Sequence, residues 1–200
     1  MITWAGLEFE CPADVFSPRD SSLPMIEIAE ASTQELSGTI GVIDLCCGSG
    51  AIGIAICRKY PNRFTHMIAL DAFPSAVRCC THNMKRHGVE GEAQLWKAGD
   101  PIPSIIGEAL IVCNPPYLPP TTETRSERER LWIVSDNGGL YLPFQCLRSA
   151  AKTPFRIVMK GLSTHVPLLD EAFEQLCLVG KYVLAEDVVV TVWHPCVTSS

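Results

Sequence analysis

The stretch Val42-Ile43-Asp44-Leu45-Cys46-Cys47-Gly48-Ser49-Gly50-Ala51-Ile52-Gly53 constrains this chain more than any other. An apolar run of strand length enters a glycine-rich turn and leaves it as a helix, the order of a βα unit. Glycines at 48 and 50 let the backbone pass close to a bound molecule with no Cβ in the way. The helix that starts near Ala51 aims its free N–H groups at the same place. Asp44, near the end of the strand, adds a carboxylate that accepts from an amino or hydroxyl group or favours a cation, which a bare phosphate cradle would not want. The turn reads as the seat of a nucleotide-like cofactor that carries positive charge.

The remaining residues continue the alternation of strands and helices. Residues 1–24 alternate weakly between apolar and polar and hold Pro12, Pro18 and Pro24, which predicts a loop or hairpin lead-in. Apolar positions over 22–37 suit a helix ended by Gly38. Strands are predicted at 41–46, 66–70, 93–97, 109–113 and 155–159, with helices at 51–60, 74–86, 142–152 and 166–178. The runs 182–185 and 188–193 are separated by Glu186-Asp187, which favours a hairpin over another crossover. The fold class is therefore α/β: a mostly parallel seven-stranded sheet with helices on both faces and a C-terminal antiparallel hairpin. Ligands in such sheets gather at the C-terminal strand ends. Asp44, Asp71, Asp100 and Asn114 all fall at or just past such ends.

At 200 residues, one compact domain is the default, and a chain of this length buries roughly 70% of the surface its unfolded form exposes. No apolar run approaches the ~18 residues that span a bilayer, and the N-terminus lacks a basic segment followed by an apolar one. No membrane association and a cytoplasmic location are expected. The ten cysteines fall inside predicted strands and helices and read as core filler; neither they nor the five histidines show metal spacing, so no metal is expected. The net charge of −6 argues against a protein that grips a phosphate backbone, making nucleic acid an unlikely partner. Residues 118–137 mix prolines with alternating charge, Arg125 to Arg130 above all, and read either as a solvated loop or as a lid over a substrate.

Gly48 to Gly53 also satisfies G-x-G-x-x-G, with Asp71 at about the distance where a dinucleotide enzyme puts its ribose-binding acid. An enzyme of S-adenosylmethionine (AdoMet) wants an acid in the same place. Two features separate the cofactors: Asp44 before the glycines, and Asn114-Pro115-Pro116-Tyr117 after the fourth strand. The two prolines fix the backbone and remove two N–H donors, so this loop presents acceptors without competing donors. The Asn114 amide oxygen and the Pro115 carbonyl are suited to the two hydrogens of a planar –NH2 group, with Tyr117 stacking on whatever flat group bears it.

Asp44 to Gly50 resembles the first motif of Rossmann-like AdoMet-dependent methyltransferases, and Asn114 to Tyr117 resembles the catalytic tetrapeptide of those that methylate amino or amide nitrogen. Within that group the chain is similar to the HemK-type protein-glutamine methyltransferases, in particular their small, single-domain branch. Pro18-Arg19-Asp20-Ser21-Ser22 and Asn137-Gly138-Gly139 resemble stretches those enzymes carry. Cys46 stands where the motif has its first glycine, and Leu23 where the bacterial release-factor enzymes carry an acid. The resemblance implies a lead-in over 1–38 and a methyltransferase domain over 39–200. It places Asp71 on the ribose, Asp100 on the adenine amino group, the Gly48–Gly50 turn beneath the methionine part and Asp44 near its ammonium. Cys46, Ala72 and Gly99 join that cofactor wall. Asn114, Pro115 and Tyr117 are the implied catalytic residues, Asn114 also contacting the cofactor, and together with Pro116 they bind the substrate. The implied reaction is AdoMet-dependent N-methylation, with S-adenosylhomocysteine (AdoHcy) as product and a protein glutamine as acceptor. A small-molecule amine or amide is the alternative acceptor and a nucleobase a lesser one; a partner subunit is left open.

Overall fold

The computed structural model of the chain describes residues 1–151 and 155–196. Strands β1 (Ile2–Trp4) and β2 (Leu7–Phe9) form an antiparallel hairpin, and helix α1 (Pro24–Ala31) follows a 3-10 turn at Asp20–Ser22. Then come β3 (Ile40–Leu45), α2 (Ala51–Lys59), β4 (Phe64–Asp71), α3 (Pro74–His87), β5 (Gly91–Leu95) and β6 (Ala109–Cys113). The second half holds α4 (Glu127–Ile133), α5 (Tyr141–Ala150), β7 (Arg156–Leu162), α6 (Val166–Ala172), β8 (Leu176–Val183) and β9 (Val188–Pro195).

Seven strands make one sheet in the order β5-β4-β3-β6-β7-β9-β8. The first five in that order run parallel, and β9 is antiparallel to both its neighbours. This is the expected α/β architecture. From β3 the chain winds outward through β4 to β5, then crosses back to β6 and β7, so the order reverses between β3 and β6. A crevice opens above the C-terminal strand ends at such a reversal.

Both faces of β3 are covered, which is why its six residues are all buried, Asp44 being the one charged residue among them. Strand alternation sends Ile40 and Val42 toward α1, α2 and α3, and Ile43 and Leu45 toward α5 and α6. Each such buried side chain is worth about 1.5–3 kcal/mol relative to leaving it in water. Trp4, Phe9, Met25 and Ile28 belong to the cluster that contains Val42 and Ile54, so the first 38 residues share a core with the sheet. Helix α3 begins with Pro74 in its first turn and ends at Gly88, a left-handed residue (φ 62°) after which the Val89 N–H returns to the Met84 carbonyl.

Three expectations need correction. Helix α1 stops at Ala31 instead of 37, because the hydroxyls of Ser32 and Thr33 donate to the Ala29 and Glu30 carbonyls at 2.9 Å each and turn the chain. The helix expected over 166–178 ends at Ala172, and Leu176 to Leu178 are strand. Pairing with β9 along most of β8 outweighs the local helical period, with a register shift at Leu178/Gly180 absorbing the glycine. The cysteines are not all core filler: Cys177 and Cys196 form a disulfide across the base of that hairpin. The expected helix end at Lys152 lies outside the described residues. Among the described residues no helix is long and apolar enough to cross a membrane.

Candidate active site

The site is built where β3, β4 and β6 end. After Leu45 the backbone turns sharply, with Cys46 (φ 58°), Gly48 (φ 55°) and Gly50 (φ 78°) all left-handed. Cys46 therefore adopts the conformation that a glycine takes without strain, in the place where the sequence motif has one. The Cys47 N–H donates to the Leu70 carbonyl at 3.1 Å and the Gly50 N–H to the Cys47 carbonyl at 2.8 Å, closing the loop onto β4 and onto itself. Gly48 faces open space: a Cβ there would come no nearer than 3.7 Å to anything, the Phe16 carbonyl. Gly50 does not, since a Cβ would stand 2.5 Å from Cys80 Sγ. The two glycines thus have different tasks: Gly48 keeps the cavity open, and Gly50 lets α2 pack on α3.

Two buried carboxyls support the turn from below. Asp71 accepts the Gly48 N–H (2.9 Å) through one oxygen and the Phe73 N–H (3.0 Å) through the other. Burial pushes its pKa up to about 6, aided by neighbouring Cys46 and opposed by those N–H groups. Asp44, on the α2 side of β3, accepts the Gly53 N–H at 3.0 Å. Burial pushes it up to about 7 against that hydrogen bond, with Cys46 and Asp71 adding to the rise.

Above the turn lies a cavity of about 660 Å³, within the range of small-molecule sites. Of the residues expected at the cofactor, Cys46, Gly48, Asp71, Ala72 and Asn114 form its wall, and so does Pro116. Asp44 and Gly50 stand behind the wall and hold it. Gly99 and Asp100 are not brought to it. Asp100 is exposed, its carboxylate accepting the Lys97 N–H at 3.3 Å and its carbonyl the Trp96 indole N–H at 3.3 Å, so it closes its own turn. That turn instead presents Trp96, Lys97 and Ala98 to the cavity, whose wall also holds Ile52 and Phe73. The loop 14–18 and helix α4 roof it, with Phe16 and Trp132 in edge contact at 6.2 Å between ring centres. Ser126 caps α4 by accepting the Glu129 N–H at 3.1 Å, and Glu129 reaches back to the Arg125 N–H.

The tetrapeptide leaves β6 at the same rim. Asn114 donates through Nδ2 to Ser22 Oγ at 3.4 Å. Pro115 and Tyr117 line a second, smaller cavity of about 60 Å³, and Asn114 lines both. Leu118 is pinned between the Ile133 carbonyl and the Ser135 N–H. A Cβ at Gly139 would collide with the Tyr117 carbonyl oxygen, so the turn Asn137–Gly139 clamps the loop from behind.

Several contributors carry no sequence signal of their own. Asn83, buried on the inner face of α3, donates to the Ser49 carbonyl at 2.8 Å and exchanges hydrogen bonds with Glu10, tying the glycine turn to the N-terminal hairpin. A polar residue on an otherwise apolar helix face is the one hint to it. The thiols of Cys46, Cys113 and Cys146 lie within 4.8 Å of one another beneath the turn. Their positions, 67 and 33 residues apart, have no metal spacing, and only the topology unites them. Burial and the two neighbouring thiols push Cys113 upward, whereas hydrogen bonds from Cys113 and Cys46 pull Cys146 downward, so the trio shares its protons between the turn and α5.

A mostly parallel sheet with its order reversed at β3/β6, an acid ending β4 and an Asn-Pro-Pro-Tyr loop after β6 define the Rossmann-like methyltransferase class. Residues 25–135 match the methyltransferase small domain, and the chain belongs to that family. It is 33% identical over 122 residues to the release factor glutamine methyltransferase of Mycolicibacterium smegmatis, covering 60% of this chain and 42% of that protein. With the ribosomal protein uL3 glutamine methyltransferase of Francisella tularensis it shares 30% over 118 residues, 58% of this chain and 37% of the other. The chain thus spans less than half the length of these relatives. Among solved structures, the human methyltransferase 10 domain containing protein superposes with a TM-score of 0.65 at 12% identity, covering 95% of this chain and 90% of that one. At that identity the likeness concerns the fold.

Proposed function

We propose that the chain is an AdoMet-dependent N-methyltransferase acting on an amide or amine nitrogen. The observation that carries this reading is the position of Asn114, which lines both the large cavity and the small one and, of the residues that do so (Phe16, Ser22 and Trp132 besides), is the one on the tetrapeptide. A residue shared by two adjoining cavities is placed to touch two reactants at once. The large cavity fits AdoMet: Asp71 offers acceptor oxygens to hydroxyls, Gly48 leaves the turn open, and Ile52, Phe73 and Trp96 supply apolar surface for a flat base. At the foot of α2, Gly50 supplies no side-chain cap and Asp44 takes the Gly53 N–H, leaving the N–H groups of Ala51 and Ile52 toward a carboxylate. When bound, AdoMet supplies a methyl group on a positively charged sulfur.

What the protein adds is chiefly positioning. Asn114 and the Pro115 carbonyl accept from the nitrogen to be methylated and stabilise the positive charge that grows on it. Tyr117 closes one side. A glutamine side chain of a protein is the acceptor in the relatives' names. A small-molecule amine or amide is the second reading, favoured by the compactness of the smaller cavity. The test is Asn114→Ala: turnover with any acceptor is expected to fall about 10²–10³-fold, as when one preorganised group is removed, while AdoHcy affinity falls less than tenfold. Equal losses in both would refute the division of roles.

A further inference from the structure

Lys160 is the buried charge that this chemistry leaves unused. It sits on β7, on the same face as Val158, and strand alternation turns it toward the Asp20–Ser22 turn. Only 2% of the residue is exposed. Its Nζ donates to Ser21 Oγ at 2.9 Å and to Ser22 Oγ at 3.1 Å and lies 5.9 Å from the centre of the Tyr117 ring. Among the described residues no carboxylate lies at ion-pair distance from it. A buried ammonium held by two neutral hydroxyls and an aromatic face is costly, and natural cores rarely keep one without a counter-charge. Burial, and to a smaller extent the Arg19 charge, push its pKa down to about 8.

Lys160 lines the smaller cavity, and the one other charged residue in that wall is also a cation, Arg19. Arg19 is stacked at 5.4 Å over Phe16, which also lines the cavity, and bonded at 3.4 Å to Glu129, which takes no part in the wall. The cavity of about 60 Å³ has room for a handful of water-sized groups at ~10–15 Å³ each, the size of a carboxylate with its adjoining carbons. Ser22 Oγ joins this cation to the reaction centre, since it also accepts from Asn114 Nδ2. Lys160 Nζ and the Asn114 amide are therefore no further apart than those two hydrogen bonds together.

We infer that the smaller cavity is an anion subsite, and that the methyl acceptor is a small amino or amido acid whose own carboxylate lies against Lys160 and Arg19. This deepens the N-methyltransferase reading and rests on it. Given the closeness of Lys160 to Asn114, the carboxylate and the nitrogen are separated by roughly two to four bonds, allowing normal hydrogen-bond lengths at each end. An internal glutamine of a protein has no such group and leaves the buried ammonium unpaired.

The experiment titrates the intact chain, with and without saturating AdoHcy, using glycine, β-alanine and 2-aminobenzoate, each against its neutral carboxamide, and a glutamine peptide blocked at both ends. At least one carboxylate is expected to bind tenfold or more tightly than its amide. Lys160→Met is expected to abolish that preference with AdoHcy affinity unchanged, and Lys160→Arg to retain it. Equal binding within every pair, no binding by any of the acids, tighter binding of the peptide, or a preference that survives in Lys160→Met each overturns the subsite. Failure of AdoHcy itself to bind overturns the methyltransferase reading instead, and the arm without AdoHcy still reports on the anion subsite.

Discussion

Asp44 and Asp71 hold their protons more tightly in the folded chain than in the unfolded one, because burial disfavours the charged form. A carboxyl with a raised folded pKa lends stability that is fully present below its unfolded pKa. That stability is lost as the pH rises through about 6 for Asp71 and about 7 for Asp44. Only Asp71 lines the cavity. A ligand that donates hydroxyl hydrogens to its oxygens favours the ionised form, so binding must expel a proton when Asp71 is protonated. AdoHcy affinity is therefore expected to climb, by up to about tenfold per pH unit, as the pH rises toward about 6 and to level off above it. Calorimetry in two buffers of different ionisation heat counts that proton directly, and Asp71→Asn should remove the step. A flat profile would mean that Asp71 is already ionised in the free chain. Lys160 is the opposite case: its folded pKa of about 8 lies below the unfolded one. Replacing the buried ammonium with the similar volume of methionine is expected to raise the melting temperature, read by thermal unfolding near pH 7. A fall would show that its bonds to Ser21 and Ser22 outweigh its desolvation.

The β3-turn-α2 element owes its shape to glycines that act for different reasons, and two substitutions separate them. Gly50→Ala forces a Cβ to 2.5 Å from Cys80 Sγ in a left-handed backbone, and about 2–3 kcal/mol of stability is expected to go with it. Gly48→Ala meets nothing closer than 3.7 Å, so only the left-handed strain of about 1–2 kcal/mol remains, but its methyl enters the cavity and weakens AdoHcy binding. Urea unfolding and calorimetry on the pair should give opposite rankings for stability and affinity. The same element explains what sequence makes legible. Six consecutive buried positions, apolar but for Asp44 and Gly41, mark β3 as a central strand, and the prolines after β6 can only be a loop, so the sheet's centre and the loop at its rim are readable from the chain itself. Asp100 misleads because a loop aspartate after a strand has the same appearance whether it faces a ligand or, as here, its own backbone. Residues 176–178 mislead because hairpin pairing is a tertiary effect absent from any local window. Asn83, Lys160 and the trio of thiols act through partners 33 or more residues away, and no spacing in the sequence encodes them.

Across the whole molecule, the sheet separates what binds from what is braced. The crevice lies at β3/β6, whereas β8 is the edge strand, beyond β7 and β9, with most of its outer residues exposed. The Cys177–Cys196 disulfide ties that edge to β9 across a separation of 19 residues. Closing a loop of this length restricts the unfolded chain by about 3 kcal/mol in the entropic account, and Cys177→Ser is expected to lose up to that amount. The site should not register the change, because β7 reaches the crevice through its own parallel pairing with β6 and through Lys160, neither of which involves β8. The variant is therefore expected to unfold at lower urea with AdoHcy affinity within about twofold of the parent, as additivity of distant sites requires. Adding reductant to the parent chain should reproduce the loss and have no further effect on the variant. If affinity falls along with stability, the hairpin and the crevice open together, and the molecule behaves as one cooperative body rather than a rigid centre with a braced edge.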